Sequence, residues 1–279
     1  RVLEEKGITV KANGRTFVFS KKDGQLKDVS VNNRKISFAN GPRFIGARRA
    51  DRSLDQFYNH DDEKAKAKDR TYSEFTDAAV FTKLDVKKEG GNLILTANYK
   101  LGNLDKAQWT IHPDGMATLD YTYNFSGVVD LMGICFDYPE EQVLSKRWLG
   151  AGPYRVWQNR IHGTQYDIWE NDYNDPIPGE TFTYPEFKGY FGDVSWMNIQ
   201  TKEGTISLTN ETPDAYIGVY QPRDGRDRLL YTLPESGISV LNVIPPVRNK
   251  VNSTDLCGPS SQPKWVNGPQ TGRVIFRFM

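Results

Sequence analysis

Between Arg147 and Arg160 the chain reads Arg-Trp-Leu-Gly-Ala-Gly-Pro-Tyr-Arg-Val-Trp-Gln-Asn-Arg. Two glycines and a proline end what reads as a buried strand. The turn that follows presents Tyr154, Trp157, Gln158, Asn159 and Arg160 together. Amide and guanidinium groups hold hydroxyls in fixed directions, and ring faces cover apolar C–H surface. Side by side they suit a polyhydroxylated ligand. The plainer alternative is a turn that packs the edge of a sheet.

Acid chemistry is harder to place. Glycoside cleavage needs two carboxylates set about 5 Å apart or somewhat more. Glu140, Glu141, Asp167, Glu170, Asp172, Asp175, Glu180, Glu186 and Asp193 are available, but no two stand in a context that reads as a catalytic pair. They are expected as solvated loop carboxylates. Asp167, Glu170, Asn171, Asp172, Asn174 and Asp175 are hard oxygen donors of the kind calcium takes, although their spacing matches no calcium loop and lacks its central glycine. No cofactor is therefore expected, calcium at this stretch being the one candidate. His60, His112 and His162 stand apart from one another and from Cys135 and Cys257, which argues against zinc. Whether the two cysteines pair is left open.

Bulk properties narrow the partners. The chain has 279 residues with 36 basic and 35 acidic side chains, a net charge of +1, so no basic excess points to nucleic acid. No apolar run reaches the roughly 20 residues that span a bilayer. Aromatic residues make up 12%, which suits pleated sheets as well as sugar contacts. The chain opens on Arg1-Val2-Leu3 without Met or a leader pattern, and is read as cut from something longer.

Period-2 alternation dominates the elements that must hold these groups. Thr118–Phe125 is the clearest case, with Leu119, Tyr121, Tyr123 and Phe125 on one face. Leu93–Tyr99, Thr205–Thr209 and Val274–Phe278 repeat it. Asn13-Gly14, Asp23-Gly24, Gly90-Gly91, Pro113-Asp114-Gly115 and Asn267-Gly268 mark turns, because these residues tolerate positive φ. Asp61 to Tyr72 is the best helical stretch, polar all round. The strand–helix alternation of a TIM barrel is absent. The expectation is one all-β sandwich over residues 1–279, with long loops at Asp175–Tyr184 and Asn242–Pro263.

The Arg147 block resembles the C-terminal domain of family 2 β-galactosidases, where a Trp-Leu-Gly-x-Gly-Pro segment precedes an Arg by a few residues. The order continues through Tyr166-Asp167-Ile168-Trp169, Pro185-Glu186 and Gly189-Tyr190-Phe191-Gly192-Asp193-Val194-Ser195-Trp196. Arg15–Leu26 is similar to that domain's opening hairpin, so the resemblance covers most of the chain. It implies a large antiparallel β-supersandwich of the galactose-mutarotase-like type with few short helices, the C-terminal part of a larger multidomain glycosidase. The family's catalytic carboxylates belong to a barrel, so no catalytic residue is expected here. In the family this domain packs on the barrel and closes one side of the sugar pocket, which is what the resemblance implies for this chain.

In the family a Trp shortly before the last strand reaches the sugar, and Trp265 matches it by position. The implied substrate-binding set is Trp265, Tyr154, Trp157, Asn159 and Arg160. Arg48-Arg49-Ala50-Asp51-Arg52-Ser53-Leu54-Asp55 stands where the family has Arg-Ala-Pro-x-Asp-Asn-Asp. The Arg and Asp persist without the Pro and Asn, so the ligand the resemblance implies is a β-galactoside or another β-linked glycan. The expected partners are that carbohydrate and the rest of the parent chain. The resemblance implies a bacterial protein, periplasmic or secreted, with cytoplasmic forms in the family. Two other classes stay open on the same sandwich. One is a stand-alone enzyme: a mutarotase using His162 with Glu170 or Glu186, or a lyase using Tyr166, His162 and Arg160. The other is a free carbohydrate-binding module.

Overall fold

The computed structural model describes residues 7–49, 72–75, 78–173, 189–219, 234, 236–246 and 258–279. The helical stretch at 61–71, residues 50–55 of the 48–55 segment, His60, the loop at 175–184, Pro185-Glu186 and Cys257 lie outside the described residues. The strands are β1 (Ile8–Ala12), β2 (Arg15–Phe19), β3 (Leu26–Val31), β4 (Arg34–Ile36), β5 (Ala39–Arg49), β6 (Tyr72–Glu74), β7 (Val80–Glu89), β8 (Asn92–Lys100), β9 (Leu104–Ile111), β10 (Ala117–Val129), β11 (Leu131–Asp137), β12 (Val143–Gly152), β13 (Gln165–Asp172), β14 (Trp196–Thr201), β15 (Gly204–Asn210), β16 (Tyr216–Val219), β17 (Ile238–Val243) and β18 (Lys264–Phe278). Among the described residues the helical elements are two 3-10 turns, Glu140–Gln142 and Pro259–Ser261.

The strands form two nine-stranded antiparallel sheets, so the chain is the all-β sandwich that the alternation called for, of the large supersandwich kind that the resemblance implied. Sheet one runs β1-β2-β3-β5-β11-β17-β16, with β4 on β3 and β6 on β5. Sheet two runs β13-β12-β14-β15-β18-β10-β9-β8-β7. Inward positions of both sheets share one core, with Phe17, Phe19, Phe38 and Phe136 from sheet one meeting Trp109, Tyr121, Tyr123 and Phe276 from sheet two. On β10, Leu119, Tyr121 and Tyr123 are all buried, and the two tyrosine rings stack 6.2 Å apart. Alternating apolar side chains must face the same way along a strand, so this pattern alone selects the buried face.

Turn chemistry agrees at several hairpins. Asn13 and Gly14 have φ of 44° and 74° between β1 and β2, and Gly90 and Gly91 have 57° and 84° between β7 and β8, as a two-residue hairpin loop requires. Asn267-Gly268 differs from its expected turn. Although Gly268 has φ +95°, it lies inside β18 opposite Phe125 of β10. The pairing carries through because Ser126 Oγ bonds both Asn267 Oδ1, at 3.0 Å, and the Gly268 N–H, at 3.3 Å.

Strand β11 is buried on both faces. Met132, Ile134 and Phe136 point into the core between the sheets, whereas Leu131 and Cys135 join a second cluster on the outer face of sheet one with Ile45, Ala47, Leu241 and Ile244. That outer face needs a cover, and the Arg147 block provides it.

Candidate functional site

Strand β12 carries the start of the block into sheet two between β13 and β14. Trp148 is wholly buried. Its indole meets Phe191 edge-on at 4.8 Å and donates from Nε1 to the Ala151 carbonyl at 3.0 Å. The motif's second glycine has a steric cause: a Cβ on Gly152 would come within 2.4 Å of the Trp169 indole. The Gly152–Pro153 bond is cis.

Past Pro153 the chain leaves sheet two and lays Val156 and Trp157 over the outer face of sheet one. Val156 and Tyr190 exchange two backbone hydrogen bonds, each 2.7 Å. A side chain at Gly189 would put its Cβ 1.9 Å from the Val156 carbonyl oxygen, so this crossing requires glycine. Trp157 is fully buried, edge-on to Tyr190 at 5.6 Å. Its ring therefore supports the surface from behind.

The chain then reverses, the Arg160 N–H donating to the Trp157 carbonyl at 2.9 Å. Gln158, only 7% exposed, sits at the tip. Its backbone N–H donates to the Pro245 carbonyl at 3.0 Å. Its amide Nε2 donates to the carbonyls of Ser260 and Gln262 at 2.7 and 2.6 Å. Asn159 Nδ2 adds a contact to Ser261 Oγ at 3.4 Å. The block thus grips the short helical turn that leads into β18. Three residues after Gln262 comes Trp265, 73% exposed and opposite Val128 of β10. An indole this exposed has little packing role of its own; it is the most exposed aromatic ring among the described side chains, and open to a ligand.

The five residues singled out in the sequence divide accordingly. Trp265 stands in solvent, and Asn159 reaches the turn that precedes it. Tyr154 is half-buried and donates its phenol to the His162 carbonyl at 2.7 Å, which braces the 161–164 turn. Arg160 is exposed, and Trp157 lies in the core beneath. Sequence reasoning missed the fastening role of Gln158. A long polar side chain inside an otherwise aromatic block is the signal that could have found it.

It also missed two buried cations. Lys146 lies 4.8 Å from the Tyr173 ring centre and 5.7 Å from that of Phe191. The Arg155 guanidinium lies 5.9 Å from the Phe191 ring centre. Cations over ring faces are attracted by the ring quadrupole, so Phe191 interacts with both charges.

The acids are distributed rather than convergent. Asp167, Glu170 and Asp172 are exposed on β13, and Glu170 faces Arg147 across the strand pair with the charged groups 4.0 Å apart. Glu140 accepts a hydrogen bond from the Tyr173 hydroxyl. Among the described residues no three His, Cys, Asp or Glu side chains gather as metal ligands would. His162 is exposed in its turn, and the Tyr166 hydroxyl bonds Ser195 Oγ at 2.6 Å. Cys135 is a buried free thiol. Burial pushes it up to about 11, against the pull of the Arg43 guanidinium 3.7 Å away.

The family model of the β-galactosidase small chain matches residues 11–250, a span that holds both sheets' early strands and the whole Arg147 block. The chain belongs to the β-galactosidase small chain family. A comparison with curated proteins gave no match. Among solved structures, this small chain is similar to an α-N-acetylgalactosaminidase from Bifidobacterium bifidum in complex with GalNAc, at 10% identity and a TM-score of 0.47. The overlap covers 98% of this chain and 36% of that one. It is also similar to a galactose mutarotase-like protein from Lactobacillus casei (11% identity, TM-score 0.46, 98% of this chain and 100% of that one). A galactose 1-epimerase from Lactobacillus acidophilus gives 8% identity and a TM-score of 0.49 over 100% of this chain and 96% of that one. Within the matched span, the Arg147 block is the part that crosses from sheet two to the outer face of sheet one and holds the turn before β18.

Proposed function

We propose that this small chain is a non-catalytic C-terminal part of a β-galactosidase-like hydrolase. It packs on the part that carries the catalytic carboxylates and adds Trp265 as an aromatic wall for a β-galactoside or related glycan. The observation that carries this reading is the grip of Gln158 and Asn159 on residues 260–262, next to an indole left 73% exposed. A ring face held on a rigid stem loses little freedom on binding and covers the apolar face of a pyranose. Tyr154, Asn159 and Arg160 of the same block are the polar groups assigned to hydroxyls in this reading, and Trp157 backs the block from the core.

The test is steady-state hydrolysis of a nitrophenyl β-galactoside by the assembled enzyme. Trp265→Ala is expected to raise KM about tenfold, a loss of about 1.4 kcal/mol, with kcat changed far less; Trp265→Phe recovers most of the loss. A KM unchanged in Trp265→Ala would overturn the role given to this ring.

A further inference from the structure

A cavity of about 650 Å³ opens where sheet one meets the β7–β9 edge of sheet two. This is the opposite edge of sheet two from β12 and β13. Leu104 on the cavity wall pairs with Tyr123 of β10, and Trp265 pairs with Val128 of the same strand. Five residues of strand, about 17 Å, therefore separate the two levels. The cavity is a place of its own, and nothing in the reading of Trp265 depends on it.

Its walls are of two kinds. Phe44, Phe75, Phe81 and Tyr99 give ring surface. Each ring is fixed by a neighbour: Phe75 lies 5.2 Å from Phe125, Phe44 5.3 Å from Tyr123, and Phe81 is edge-on to Tyr99 at 5.9 Å. The Tyr99 hydroxyl donates to the Asp23 carbonyl at 2.7 Å, tying the 20–25 turn to β8. The polar wall is Lys22, Asp23, Gln25, Arg43 and Glu74. Two of these are already held: Asp23 pairs with Lys27 at 2.8 Å, and Arg43 with Asp137 at 2.7 Å. Gln25 accepts from Lys27 through Oε1 at 2.8 Å, which leaves its amide N–H groups as donors.

We propose that this cavity is a second binding site, for a neutral mono- or disaccharide. The volume falls within the range of small-molecule sites, and preformed ring walls with a few fixed polar groups are their usual construction. Among the described lining residues the cations Lys22 and Arg43 are matched by the anions Asp23 and Glu74, so these walls offer no net charge to a phosphate or a uronate. Donors and acceptors beside ring faces instead meet hydroxyls and C–H faces, the two surfaces of a pyranose. A site of this kind on a small chain would hold a distant part of a glycan or a product sugar away from the bond being cleaved.

The test uses the full chain carrying Trp265→Ala, so that the exposed indole is removed from the comparison. Lactose binding is followed by titration calorimetry and saturation-transfer NMR, with glucuronate as the charged control. The expected result is lactose binding with a Kd in the millimolar range and weaker or absent glucuronate binding. Gln25→Ala and Glu74→Ala, both at side chains that reach the surface, each weaken lactose about fivefold or more, and Ala79→Trp fills the cavity and abolishes binding. If Ala79→Trp does not fold, the two surface variants decide. No lactose binding by Trp265→Ala, or binding that Gln25→Ala and Glu74→Ala leave unchanged, would overturn the proposal. Neither result bears on Trp265, whose test is KM in the assembled enzyme.

Discussion

Gln158 does more than any other single side chain to tie the Arg147 block to Trp265. It spends both amide hydrogens on the backbone of one turn. Replacing it with Leu removes two buried hydrogen bonds and leaves two carbonyls without their donor, at a cost of about 1–3 kcal/mol. Thermal unfolding should show that loss for Gln158→Leu. In the assembled enzyme KM should rise in the same direction as for Trp265→Ala, and the double variant should show no further rise, since both act through one ring. Cys135 makes the opposite kind of prediction. With its thiol pushed up to about 11 by burial, the thiolate is scarce at neutral pH, so iodoacetamide should label it only on unfolding.

At this scale the sequence was legible where residue type implied exposure. Trp265 was singled out by its position in the chain, and Asn159 and Arg160 by their neighbours; the structure leaves Trp265 and Arg160 exposed and sets Asn159 against Ser261. Trp157 was not separable from Trp265 by type, because an indole is equally at home in a core and on a platform. Lys146 was hidden for a different reason: its place over Tyr173 and Phe191 depends on residues far along the chain.

Among the elements, the crossing from sheet two to sheet one is the most constrained. Tyr190 and Val156 bond each other over a glycine that has no room for a methyl group. Gly189→Ala should cost about 1–3 kcal/mol by overpacking, seen as a lower melting temperature. It should also weaken activity through the displaced Trp157–Arg160 reversal. Alternation announced β8, β10, β15 and the end of β18 before any coordinates, because a half-buried strand must place like residues two apart. The start of β18 was not announced. Asn267-Gly268 has the chemistry of a turn, but it lies within an unbroken pairing with β10, where the Ser126 side chain bonds both residues.

For the whole molecule, the two sheets are joined by polar contacts as well as by the core. Glu203, in the turn between β14 and β15, accepts from the Ser37 N–H at 2.9 Å, the Ser37 hydroxyl at 2.6 Å and the Tyr138 hydroxyl at 2.9 Å. Burial alone would push its carboxyl up, but these bonds together hold it below the ordinary 4.5. A lowered carboxyl contributes stability that is complete above the unfolded value and is lost as pH falls through the folded one. Glu203→Gln should therefore be less stable than wild type at pH 7, with the difference shrinking as pH falls below the ordinary carboxylate range and through the lowered folded value. The fold class was legible at this scale from turn spacing and the absence of helical periodicity. The interlock of sheets was not, since Ser37 and Glu203 are far apart in the chain and carry no motif.

The division of labour across the parent enzyme is most directly tested by hydrolysis of nitrophenyl β-galactoside in three samples: this chain alone, the remainder of the enzyme alone, and the two combined. The account predicts no turnover by the chain alone and a combined rate well above that of the remainder. Turnover by the isolated chain, or a remainder fully active without it, would contradict the account.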